Sequence, residues 1–192
     1  MKPFKLGEEV IVSDPCYEVP TWCQVTVKKV TPGNYVPFVK KTDNAFWGRR
    51  VSMLMSIHQD YLNSHIIWKK YKGTVGVDSG QAGIFSKETY RVNGSARKIQ
   101  GSMSGFFNTT EPGEQWYEQM CNRTLGDKGW GQYKEGVVSR SGLGDGSYDL
   151  FVGRVSGKIV GFCIDFQVEE SKYYDFGFYK KEVKLHPAIN GL

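Results

Sequence analysis

The strongest local constraint in the chain is a pair of β-type runs, residues 148–155 and 158–168, separated by Ser156-Gly157. Such a two-residue break fits a tight hairpin turn, because residues that tolerate positive φ match the right-handed twist of the flanking strands. In the second run Ile159, Gly161, Cys163 and Asp165 alternate with Val160, Phe162, Ile164 and Phe166, so both faces carry apolar groups. A ribbon of this kind is not stable alone and requires a second packed layer.

The remainder of the chain supplies short strands rather than long helices. It holds 23 glycines, and aromatic residues make up 14% of it, a mixture that suits short strands joined by tight turns. Strands are expected at residues 9–13, 22–30, 35–40, 50–58, 66–71, 74–77, 104–107, 136–139 and 173–183. Pro37 marks the third of these as an edge. In residues 50–58, Val51, Met53, Met55 and Ile57 alternate with Ser52, Leu54, Ser56 and His58, which predicts one apolar face on the core and one mixed face outside. Most of residues 94–113 reads as loop.

One helix is expected, over about residues 112–124. Glu111 and Glu114 lie near its start, and Trp116, Met120 and Thr124 recur at i, i+4 and i+8 beside Tyr117 and Cys121. No βαβ alternation, repeat or linker appears. The fold class is therefore mainly β: a single domain over residues 1–192, an antiparallel β-sandwich or distorted barrel with one flanking helix.

The formal net charge is +5, and the basic residues are spread in pairs such as Lys40-Lys41 and Arg49-Arg50. This favours anionic ligands without the clustered footprint of a long-duplex nucleic acid binder. The opening MKPFKLGEEV has no apolar signal core and no run is long enough to span a bilayer, so a cytoplasmic protein without a membrane partner is expected. There Cys16, Cys23, Cys121 and Cys163 are expected as reduced thiols.

Two stretches carry more chemistry than packing. Residues 136–149, GVVSRSGLGDGSYD, place four glycines, three serines, an arginine and two carboxylates between β-type runs. Residues 75–85, VGVDSGQAGIF, repeat that pattern as a short strand that breaks at Asp78 into a loop. If the two loops meet, backbone amides and Arg140 would hold a phosphate, and Ser79, Gln81, Ser141, Ser147 and Tyr148 would complete the contacts. Tyr148, Phe85, Trp130 and Tyr133 are candidates for stacking on a base. Asp78 and Asp145 at the strand ends would bind Mg²⁺ or share acid and base work on a phosphate ester; the alternative is that each closes an Asx-turn.

Other catalytic patterns are weak. The histidines His58, His65 and His186 form no zinc motif, and His58 and His65 remain as lone general bases. Cys16, beside Asp14-Pro15, is the one thiol placed to act as a nucleophile, against the simpler reading of a buried small residue. The sequence leaves the cofactor and any metal dependence open.

SDPCY at residues 13–17, VDSGQAGIF at 77–85 and SRSGLGDGSYDL at 139–150, followed by KIVGFCIDF at 158–166, resemble a bacterial and phage domain family of unknown function. The resemblance implies that these loops are the family's signature. Occurrence in phages implies a counter-defence role, such as capture or destruction of a cyclic nucleotide signal.

Three readings follow. The first is a module that binds, and so sequesters, a small phosphorylated or nucleotide ligand. The second is a phosphodiesterase-type hydrolase acting through Asp78 and Asp145. The third is a protein-interaction or immunity domain whose glycine loops are structural. The sequence leaves the oligomeric state open.

Overall fold

The computed structural model describes residues 2–92 and 112–169. The expected strands 104–107 and 173–183, and most of the expected loop 94–113, lie outside the described residues. In chain order the elements are β1 (Phe4–Leu6), β2 (Glu9–Ser13), β3 (Val25–Lys28), β4 (Gly33–Asn44), β5 (Gly48–His58), β6 (Ile67–Val77), β7 (Gln81–Ser86), α1 (Pro112–Thr124), β8 (Trp130–Gln132), β9 (Gly136–Arg140), β10 (Gly146–Val155) and β11 (Lys158–Asp165).

The strands form two antiparallel sheets, one of six strands in the order β1-β4-β5-β11-β10-β6 and one of five in the order β3-β2-β7-β9-β8. Neither closes on itself, and their apolar faces meet, so the fold is a β-sandwich. The hairpin that constrains the sequence most is β10–β11, turned at Ser156 and Gly157 with φ of 48° and 83°. Both turn residues are left-handed, as the twist of a two-residue turn requires.

The central core lies between the sheets. Tyr148, Leu150 and Val152 of β10 and Phe162 and Ile164 of β11 face Val10 and Val12 of β2, Ala82 and Ile84 of β7 and Val137 of β9. The opposite face of the five-stranded sheet is also covered, because Ile11, Phe85 and Val138 pack with Tyr90 against Trp116 and Met120 of α1. All six residues of β7 are therefore buried. That is why Gln81–Ser86, which reads as loop in the sequence, is a strand: doubly covered strands lose the alternation that reveals them.

Strand β5 departs from expectation in a second way. Met53, Met55 and Ile57 do share a face, but it is the outer face of the six-stranded sheet, with Phe151, Cys163 and Trp68. Val51 and Leu54 face the central core instead. The register shifts where Lys40 pairs with Met53 but Lys41 with Val51, which leaves Ser52 as the bulged residue. One inserted residue reverses the phase of everything beyond it. Ser52 is held there by Thr42 Oγ1 donating at 2.7 Å. The expected mixed face is not exposed either: Ser52, Leu54, Ser56 and His58 are all buried.

His58 sits between the rings of Tyr35 and Tyr61, at centroid distances of 5.1 and 5.3 Å. Its Nδ1 accepts from the Asp60 amide and its Nε2 lies 3.3 Å from the Pro32 carbonyl, so both nitrogens are engaged in packing the chain.

Residues 66–71 and 74–77, separate in the sequence reading, are one strand, β6, with Gly73 at φ 89° near an irregularity in its pairing with β10. At Pro37, β4 pairs with β5 alone, since β1 reaches only Gly33–Tyr35, a locally open edge that accepts a residue without an N–H. Among the described residues no helix is long and apolar enough to cross a membrane.

The close contact of β7 with β9 sets a size limit. A Cβ on Gly83 would strike the Phe85 ring and lie 2.7 Å from the Val137 carbonyl oxygen. Gly83→Ala is expected to lower stability by about 1–3 kcal/mol, as overpacking does. A urea titration reading an unchanged midpoint would contradict this.

Candidate functional site

The topology places the two glycine-rich stretches side by side. β6 and β10 pair in one sheet while β7 and β9 pair in the other, so the β6–β7 and β9–β10 connections cross between the sheets together. Val77 lies opposite Gly146 at one end of the crossing and Gln81 opposite Arg140 at the other. The connections are bonded to each other: Ser141 N–H donates to the Gly80 carbonyl and Gly80 N–H to Asp145 Oδ1, both at 3.0 Å.

Within the second connection, Gly144 N–H donates to the Ser141 carbonyl across Gly142, whose φ is 64°. A side chain at Gly142 would meet the Phe166 and Val168 side chains at 2.8 Å. Tyr148, buried against Phe166, turns its hydroxyl to the carbonyls of Gly144 and Ser141 at 2.6 and 2.9 Å. The amides of Gly80, Ser141 and Gly144 are therefore engaged inside the loops. A phosphate cradle built on them, as the sequence suggests, has few donors left.

A third segment holds the crossing in place. Asp14 is fully buried. Its Oδ2 accepts from the Asp78 and Ser79 amides at 2.8 Å each, and its Oδ1 from Ser79 Oγ at 2.7 Å and the Cys16 amide at 2.9 Å. Tyr17 OH donates to Asp78 Oδ2 at 2.5 Å. Tyr90 OH reaches the Tyr17 carbonyl, and Arg91 joins the carbonyls of Pro15 and Cys16 to Glu114 of α1. In the sequence Asp14 reads only as a turn former, because nothing local shows that residues 64 and 65 positions away supply its donors.

The same carboxylate decides the chemistry of Cys16. Burial, then the charge and hydrogen bond of Asp14, push the thiol pKa well above its usual value. The protonated thiol is a poor nucleophile, which favours the simpler reading of Cys16 as a packing residue. All four cysteines are free thiols.

Beside the crossing loops lies a cleft of about 270 Å³, walled by Trp47 and Arg50 of the β4–β5 hairpin, Thr124 and Leu125 at the end of α1, Ser79–Gln81, and residues 140–144. Ser79, Gln81, Arg140 and Ser141, four of the expected ligand contacts, line it. Asp78, Asp145, Ser147 and Tyr148 do not. Asp78 holds Tyr17, Asp145 holds the Gly80 amide, and Tyr148 closes its own loop. Ser147 is exposed on β10 opposite Gly76, the glycine against which Trp22 packs.

The aromatic residues nominated for stacking are occupied elsewhere. Phe85 is buried against Tyr90 and Trp116, Tyr133 lies under the Arg123 guanidinium, and Trp130 packs on the central core. The exposed ring at the cleft is Trp47, which the sequence hides in an ordinary hairpin turn.

Of the two cations of the cleft, Arg140 is held in position. Arg140 donates from Nε to the Thr124 carbonyl at 2.7 Å and from Nη2 to the Leu125 carbonyl at 2.9 Å, capping the C-terminus of α1. Its Nη1 has no partner among the described residues. Arg50 Nε and Gln81 Oε1 are buried with no hydrogen-bond partner among the described residues. Two arginines and no carboxylate line the cleft among those residues. Nor does any group of three or more His, Cys, Asp or Glu side chains among them converge on a metal position.

Comparison with protein-family models, with curated proteins and with solved structures finds no match.

Two outcomes are expected from this geometry. Asp14→Ala should destabilise the fold by on the order of 3 kcal/mol, since it strands several buried donors; hydrogen exchange at the Ser79 amide should accelerate in parallel. Iodoacetamide at pH 8 should alkylate Cys16 far more slowly than a free thiol in the native protein and at the free-thiol rate after unfolding. Equal rates in the two states would contradict the assignment of a raised pKa.

Proposed function

We propose that the chain is a binding module for a small phosphorylated or nucleotide ligand, held in the cleft between the β4–β5 hairpin, the end of α1 and the crossing loops. The observation that carries this reading is a cleft with two arginines and no lining carboxylate, in which Arg50 Nε and Gln81 Oε1 lack partners among the described residues. Arginine forks suit phosphate oxygens, and a guanidinium already anchored to helix carbonyls loses little freedom when it takes up an anion.

The geometry favours holding over cleavage. Asp78 and Asp145, the pair a hydrolase would use, lie outside the cleft lining and act as acceptors for Tyr17 and Gly80. The cleft also sits at the small end of ligand pockets, which run from roughly 300 to 1,000 Å³. A single nucleotide, linear or cyclic, matches it better than a larger signal. Sequestration of such a signal, the counter-defence role that the resemblance to phage domains implies, requires no chemistry beyond this.

The test is equilibrium dialysis against mononucleotides and their cyclic forms, followed by denaturation and analysis of what is recovered. Depletion of ligand that is recovered intact is expected. Arg50→Ala should weaken it by about ten- to a hundredfold, the worth of one charge-assisted hydrogen bond. Cleaved product that disappears in Asp145→Ala would instead establish the hydrolase, and no depletion of any nucleotide would leave the interaction domain as the reading.

A further inference from the structure

The arginines explain an anion site but not the rest of the cleft lining. Trp47, Leu125 and Leu143 are 59%, 56% and 54% exposed, and they reach the same cleft from three different elements. An inorganic anion has no use for such a rim, and exposed apolar side chains gathered at one place mark a binding surface. A flat heterocycle has a use for it. One face stacks on the indole while the leucines shield the edge from water.

Gln81 adds a directional element. The side chain is buried, with 8% of its surface exposed, and its Nε2 is 3.5 Å from Cys121 Sγ on α1. Its Oε1 has no hydrogen-bond partner among the described residues. A buried amide carbonyl without a donor is unfavourable, and an exocyclic amine in the cleft would supply one once the Gln81 side chain turns its oxygen out from under α1. Uracil would bring carbonyl oxygens that repel Oε1 on either side of its ring N–H.

We propose that the cleft takes a nucleoside monophosphate with an amino-bearing base. The base stacks on Trp47, its amine donates to Gln81 Oε1, and the phosphate lies between Arg50 and Arg140. This rests on the anion-binding reading above and goes beyond it by making the base, and not the phosphate alone, the recognised group.

Isothermal titration calorimetry of the full chain with ribose 5-phosphate, adenosine 5′-monophosphate and uridine 5′-monophosphate separates the two. Adenosine monophosphate should bind at least about tenfold more tightly than ribose 5-phosphate, the smaller end of what a stacked base contributes. Trp47→Ala, at an exposed hairpin tip where folding does not depend on it, should collapse that margin. Gln81→Leu, with native folding verified by circular dichroism, should abolish the preference for adenosine over uridine monophosphate. Equal binding of ribose 5-phosphate and both nucleotides would overturn the base proposal while leaving the anion site standing. A margin that survives Trp47→Ala, or a base preference that survives Gln81→Leu, would overturn it equally. Binding of none of the three would remove both.

Discussion

The carboxylate of Asp14 is the interaction on which the crossing loops beside the cleft depend. A chain that passes from one sheet to the other leaves its amides without a ladder partner, and buried amides need one. At residues 78–79 the partner is Asp14, which gathers two backbone amides and the Ser79 hydroxyl from the turn and a further amide from its own. The carboxylate does not line the cleft. It sets the position of Ser79 and Gly80, which do.

Once that turn is held, the other parts follow from connectivity. Pairing of β7 with β9 sets Arg140 opposite Gln81, on the face of the sheet covered by α1. From there Arg140 reaches the last carbonyls of the helix, so the end of α1 and the 141–144 turn become two walls of one cavity. The acidic side chains of the crossing accept from hydroxyl and amide donors, and the two arginines line the cleft. That division of charge, more than any single residue, is what supports the proposed preference for anions.

Features whose causes are local were legible in the sequence. Ser156-Gly157 specifies the β10–β11 hairpin because only two residues decide a tight turn. Residues 112–124 read as a helix because Trp116 and Met120 repeat at its period, and the helix spans Pro112–Thr124. The partnership of residues 75–85 with 136–149 was also readable as a matched pair of glycine-rich breaks. Less legible were β7, covered on both faces, and β5, where Ser52 enters a bulge and exchanges the inner and outer faces. Alternation carries the signal for a strand, and double burial and a bulge each erase it.

The sequence by itself determined the class of fold, the main hairpin and the helix, and it nominated Ser79, Gln81, Arg140 and Ser141, which line the cleft, together with Ser147 and Tyr148, which do not. These follow from turn chemistry, periodicity and the composition of short stretches. Tertiary structure alone decided that Asp14 is the clasp, that Asp78 and Asp145 are taken up by Tyr17 and Gly80 outside the cleft lining, and that Trp47 and Arg50 complete its wall. Each of those depends on groups brought together from distant parts of the chain. Their proximity is a property of strand pairing across two sheets, and no local pattern of residues encodes it.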